Sequence, residues 1–295
     1  MANLKEVRDR IQSVISTQQI TKAMKLVAAS KLRRAQQAVL QLRPYSEKLN
    51  AMLSNIMSVV DDVDGSVYST ERPIKAVCIV VITSSRGLCG GYNSNVIKAA
   101  MGLLNGKYAS QYEAGQVSLL FIGKKGRDFL AKRYPKATMI KEYTEIVGKE
   151  FSSDDSIPIA ERLMDAFENE LYDKVEIIYT RFKNAVMQDL MVEQFLPIEK
   201  AEASASEFDA DFLFEPNKEE LLNYLIPAVL KTQFHKTILD SNASEQGSRM
   251  TAMDKATDNA EDLLRELRIH YNKARQEAIT TELGEIVGGA AALES

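Results

Sequence analysis

Apolar residues recur at steps of three and four from Leu4 through Val7, Ile11, Val14, Ile15, Ile20, Met24, Val27, Leu32, Ala35, Val39 and Leu42. That spacing puts them on one face of an α-helix, and it resumes beyond Pro44 through Tyr45, Leu49, Met52, Leu53, Ile56 and Val59. The pattern predicts an N-terminal helix that is bent or locally broken at the proline and ends at Asp61, Asp62, Asp64 and Gly65. Unbroken, its ~57 residues at ~1.5 Å rise would reach roughly 85 Å, longer than a compact domain of this size. The same period returns from about residue 217. Leu221, Leu222, Leu225, Ile226, Val229 and Leu230 lead into Met250, Met253, Ala256, Ala260, Leu263, Leu264, Leu267, Tyr271, Ala274, Ala278, Ile286 and Val287, and Pro227 can bend the first turns.

Between these stretches the period changes. Lys75 to Thr83 is a β-branched run that ends in Ser84-Ser85-Arg86-Gly87-Leu88-Cys89-Gly90-Gly91 and leads into a helical stretch from Asn93 to about Leu104. Strand, glycine turn and helix open an α/β unit. Further strands are predicted at Val117–Ile122 and Ala137–Tyr143, helices at Lys124–Arg133 and Ile157–Leu171, and a closing hairpin from Val175–Phe182 and Val186–Phe195. Residues 199–220 hold eight acids against two lysines and read as a surface linker. The chain is thus α/β, with a long helix over 1–65, a central Rossmann-like α/β domain over 74–197, an acidic linker over 198–216 and a second long helix over 217–295. A one-sided apolar stripe must be covered in water. Reversal of the chain through the central domain predicts an antiparallel coiled coil of the two terminal helices. Its stripe is diluted by Gln18, Thr21, Lys22, Lys25 and Lys31 on one helix and by Ala, Thr and Gly on the other. A slender polar coil of this kind suits either a shaft surrounded by other subunits or the hairpin arm of an adaptor or chaperone. On these grounds both stay open.

Composition narrows the picture. Hydrophobic residues make up 45% and charged residues 26% of 295, which excludes wholesale disorder. No run approaches the ~20 apolar residues of a membrane helix, and the N-terminus shows no apolar signal region. A bacterial cytoplasmic address with no direct membrane insertion is the default expectation. Cys78 and Cys89 lie eleven apart, neither a zinc spacing nor a CxxC pair. The net charge of −4 hides an asymmetry, because residues 1–43 carry nine Lys/Arg against two acids, or +7, leaving −11 for the rest. Nucleic acid is a poor partner for that basic stretch, which lacks interleaved aromatics in a chain of pI about 5.5. Gly87-x-x-Gly90-Gly91 matches neither a dinucleotide fingerprint nor a P-loop. His235 and His270 have no triad or metal pattern and read as surface residues, and Asp154-Asp155 reads as a helix cap. No catalytic residue, metal site or cofactor is expected.

Four segments carry a family resemblance. They are Ile20-Thr21-Lys22-Ala23-Met24-Lys25-Leu26-Val27-Ala28-Ala29-Ser30-Lys31-Leu32; Arg86-Gly87-Leu88-Cys89-Gly90-Gly91; Ser248-Arg249-Met250-Thr251-Ala252-Met253 with Ala256-Thr257-Asp258-Asn259-Ala260; and Ile279-Thr280-Thr281-Glu282-Leu283-Gly284-Glu285-Ile286-Val287-Gly288-Gly289-Ala290. In these segments, which span nearly the whole chain in family order, the sequence resembles the gamma subunit of F-type ATP synthases. The resemblance implies a noncatalytic rotor shaft, peripheral on the cytoplasmic face of the bacterial inner membrane. Its coiled coil would thread the hexamer of alpha and beta subunits, and its α/β domain would sit on the ring of c subunits beside epsilon. Turning would drive each beta site through its affinity states, coupling proton flow to ATP synthesis or hydrolysis. The basic stretch with Lys22, Lys25, Lys31, Arg33 and Arg34 would be the counter-surface to an acidic loop of the beta subunits; by motif position Met24 would lie where the shaft meets that loop, while Arg249, Arg275, Gln276, Thr280 and Glu282 would contact surrounding subunits or couple the two shaft helices. Ser85 stands where the family commonly has an acid, and no chloroplast-type regulatory cysteine insert is present.

Overall fold

The computed structural model describes residues 4–59, 67–146, 151–198 and 218–293. The helix-ending cluster at 61–65 and, beyond Ile198, the acidic linker lie outside the described residues. Along the chain run α1 (Leu4–Val59), β1 (Val77–Ile82), α2 (Tyr92–Asn105), α3 (Ala109–Glu113), β2 (Val117–Ile122), α4 (Lys124–Arg133), β3 (Thr138–Ile140), α5 (Ser153–Glu168), β4 (Lys174–Phe182), β5 (Gln188–Leu196) and α6 (Lys218–Leu293). They form two compact units, one drawn from Met1–Ala28 and Arg249–Ser295 and the other from Ala29–Ser248. Both long helices run through both units.

Neither proline interrupts its helix: Pro44 lies inside α1 and Pro227 inside α6. The break considered for Pro44 does not occur. Pro44 and Leu40, whose carbonyl loses its intrahelical partner, are both exposed, so water can take that bond.

In the larger unit the sheet order is β3-β2-β1-β4-β5, with the first four strands parallel and β5 antiparallel to β4. Every residue of β1 and β2 is buried, which is why both strands read as unbroken apolar runs. Alternate residues face opposite layers. Val77, Ile79 and Val81 pack with Val96, Ala100 and Leu104 of α2 and Leu130 of α4. Cys78, Val80 and Ile82 pack with Ile159, Leu163 and Phe167 of α5, and with Leu225, Val229, Phe234 and Ile238 of α6. The first third of α6 is therefore part of the core. Burial there pushes the Cys78 thiol up to about 12, far from a reactive thiolate.

Two local expectations come out differently. Asp155 does cap α5, accepting the Ser152 N–H at 3.0 Å, as the acidic pair suggested. His235, however, is half-buried and engaged: its ring stacks on Phe151 at 5.5 Å, its Nδ1 lies 2.8 Å from Ser156 Oγ, and burial lowers its pKa. Packing of α6 against α5 decides this, and no pattern along α6 reveals it. His270 is exposed.

Candidate subunit interface

The smaller unit is a pair of antiparallel helical segments. The hydroxyls of Thr21 and Thr257 meet at 2.9 Å, and Lys25 pairs with Asp254. Moving four residues up α1 moves three residues down α6, which sets both direction and register. Thr21 and Ala28 of α1 are buried, as are Met253, Ala260, Leu264 and Leu267 of α6. At this seam the hydroxyl pair satisfies the polar atoms placed there.

Carried down the pair, the same register brings Leu4 opposite residues 274–275. Burial on α6 follows it closely. Tyr271 and Ala274 are half-buried, and every residue from 275 to 287 is exposed. Yet Ile279, Leu283, Ile286 and Val287 continue the helical stripe, with Leu283 57% and Val287 67% exposed. A second bare patch lies on α1, where Leu26 is 66% and Val27 57% exposed. Apolar side chains in one stripe mark a contact surface more often than scattered single ones do.

The residues singled out by motif fall along this unit without converging on a site. Lys22 is exposed, Met24 half-buried, and Lys25 occupied by Asp254. Arg249 is half-buried near the other end. Arg275, Gln276, Thr280 and Glu282 are all exposed, and the Thr280 hydroxyl donates to the Gln276 carbonyl at 2.9 Å. Arg249 and Arg275 are separated by ~39 Å along the axis. The group is spread along a line, which suits an extended interface and not a catalytic centre, where reacting groups must converge within hydrogen-bond reach. Asp254 and Thr257 set the register; Thr257 lies in a motif segment, whereas Asp254 stands out in the sequence only as a polar residue inside an apolar stripe.

The glycine turn is also occupied internally. Leu88 and Gly90 take φ of 62° and 57°, and the Asn93 amide ties the turn together by accepting the Ser84 N–H at 2.9 Å and donating to Ser84 Oγ at 2.8 Å and Cys89 Sγ at 3.1 Å. Its polar groups close the β1–α2 junction on itself.

The side chains of the Lys25–Asp254 pair are 39% and 47% exposed, so water screens it. A double-mutant cycle of Lys25→Ala and Asp254→Ala, read by thermal melting, should give a coupling of less than about 1 kcal/mol. A coupling above about 2 kcal/mol would mean that the pair, not the threonine seam, holds the register.

A family model described as "ATP synthase" matches residues 3–293. An ATP synthase gamma chain of Cytophaga hutchinsonii is 50% identical, covering 100% of both chains, and one of Flavobacterium johnsoniae is 48% identical over 99% of each. Among solved structures, the central stalk/c-ring part of the Tetrahymena thermophila mitochondrial ATP synthase contains a chain that is 27% identical, with TM-score 0.60, covering 80% of this chain and 99% of that one. A chain of the Euglena gracilis mitochondrial ATP synthase reaches TM-score 0.66 at 20% identity, covering 98% of this chain and 94% of that one, and shares the fold.

Proposed function

Because this chain belongs to the ATP synthase gamma family and is a noncatalytic central-stalk subunit, we propose that it works as a rotary shaft threading an alpha–beta hexamer. In this reading its α/β domain rests on a ring of c subunits beside epsilon, and it is held peripherally at the cytoplasmic face of the bacterial inner membrane. Full-length identity to gamma chains leaves the adaptor or chaperone alternative without support.

The observation that carries the reading is α6 itself. In α6, Leu225, Val229, Phe234 and Ile238 are buried in the sheet core, while residues 279–287 are left exposed by the described residues. A helix held in a core by one segment and exposing an apolar stripe in another can carry contacts from the core to surrounding subunits. A surface that offers each surrounding subunit a different contact energy is what shifts a bistable site between affinity states. The +7 stretch at the start of α1, with exposed Lys22, offers a screened, low-friction counter-surface to acidic partner loops. Met24, Lys25 and Arg249 would engage the hexamer at one level. Arg275, Gln276, Thr280 and Glu282 would engage it at another.

The test is reconstitution with purified alpha and beta subunits of a close relative, with and without residues 276–295, assayed for stoichiometry and ATP hydrolysis. The expected result is one copy of this chain per three of each partner with sustained turnover, reduced several-fold by the truncation. Failure to assemble, or turnover indifferent to this chain, would overturn the proposal.

A further inference from the structure

A polar cleft of about 460 Å3 opens in the larger unit where α1, β4, β5 and α6 meet, lined among others by Ser46, Tyr179, Arg181, Glu193, Lys236 and Asp240. Asp240 is 5% exposed, yet among the described residues it makes no hydrogen bond or ion pair. Cations surround it without contact: Lys236 one turn back on α6, Arg43 on α1 and Arg181 on β4, while Glu193 of β5 repels it. Two of these neighbours are already engaged. Glu193 accepts the Tyr179 hydroxyl at 2.9 Å, and Arg181 leans toward Asp189 at 3.6 Å. A carboxylate that is nearly buried, meets solvent only through the cleft and has no direct partner among the described residues is costly when ionised.

We propose that Asp240 is a proton-operated clasp, whose neutral form lets α6 seat tightly on β4 and β5 and whose ionised form loosens that seat by drawing water and Lys236 into the cleft. Burial outweighs the three cations and holds the carboxyl up at about 6. With the folded value raised, the stabilising contribution is full below the ordinary carboxylate range and is lost as pH rises through about 6. His235, five residues earlier on α6, faces α5 and is shifted downward, so its linkage runs the other way. It is common to all the variants below and cancels between them.

The test is hydrogen exchange of amides 233–247 in the full-length chain between pH 7.5 and pH 5, corrected for intrinsic rates. Relative to Asp240→Asn, the parent should gain about tenfold protection on acidification. Asp240→Asn should be better protected than the parent at pH 7.5 and lose that pH dependence. Lys236→Gln, by removing a cation that favours the carboxylate, should move the parent's midpoint to higher pH. Equal slopes in the parent and Asp240→Asn would overturn the proposal. Should Asp240→Asn not fold, the Lys236→Gln midpoint decides alone: a shift upward supports the clasp, and an unmoved midpoint overturns it.

Discussion

Replacing Gly123 with alanine should cost more than about 4 kcal/mol and leave little folded chain, against a total stability of about 5–15 kcal/mol for a protein domain. Gly123 sits between β2 and α4 with φ +94°, a region where an L side chain is strained, and a Cβ built there would lie 1.9 Å from the Thr83 carbonyl oxygen. The obstacle is backbone, not a side chain that can swing away. Thr83 N–H is itself bonded to the Ile122 carbonyl at 2.8 Å, and Lys125 N–H to the Ser84 carbonyl at 3.1 Å. Relieving the clash therefore requires β1 and β2 to part at the ends that hold the glycine turn. Gly284→Ala is the matching control. It lies within α6 with nothing inside 4 Å of a new Cβ, so it should stabilise its helix by up to about 1 kcal/mol. Chemical denaturation of the two variants checks both signs. A Gly123→Ala chain within about 1 kcal/mol of the parent would show that this junction yields more easily than its geometry allows.

The second large effect should appear only in the assembled enzyme. Leu283→Asp with Ile286→Asp changes two side chains that the isolated chain already leaves in water, so its melting should move by no more than about 0.5 kcal/mol. In the reconstituted complex, the same pair places two charges on the stripe where a surrounding partner would exclude water. Burying an unpaired carboxylate costs several kcal/mol, so assembly or turnover should fall at least tenfold. Coincident loss of melting stability and assembly would mean that the stripe serves the chain's own fold. Unchanged assembly would mean that nothing apolar grips the end of α6.

Much of this organisation was legible in the sequence because local periodicity reports burial directly. Steps of three and four at Leu4–Val59 and from Leu221 onward mark the two long helices. The unbroken apolar runs at Val77–Ile82 and Val117–Ile122 mark strands covered on both faces. The hairpin and the cap at Asp155 follow from short-range chemistry. The short helix α3 carries no buried residue and left no such trace. The motif residues were legible as a set, but their distribution along a line was not, because sequence spacing on α6 says nothing about where its partner helix ends.

By itself, then, the sequence determined the kinds of element, their order, and the family to which the chain belongs, since each depends on residues near in the chain or on motifs of fixed spacing. Only the tertiary structure decided the register in which Thr21 meets Thr257, and with it the point after Ala274 where α6 loses its cover. It likewise decided that His235 is packed against Phe151 and that Asp240 is nearly buried at the edge of a polar cleft. The physical reason is common to all three. Register, cover and the solvation of a single charge are properties of pairs of elements far apart in the chain, and a periodic stripe states only that some surface must cover it, not which one or how far along.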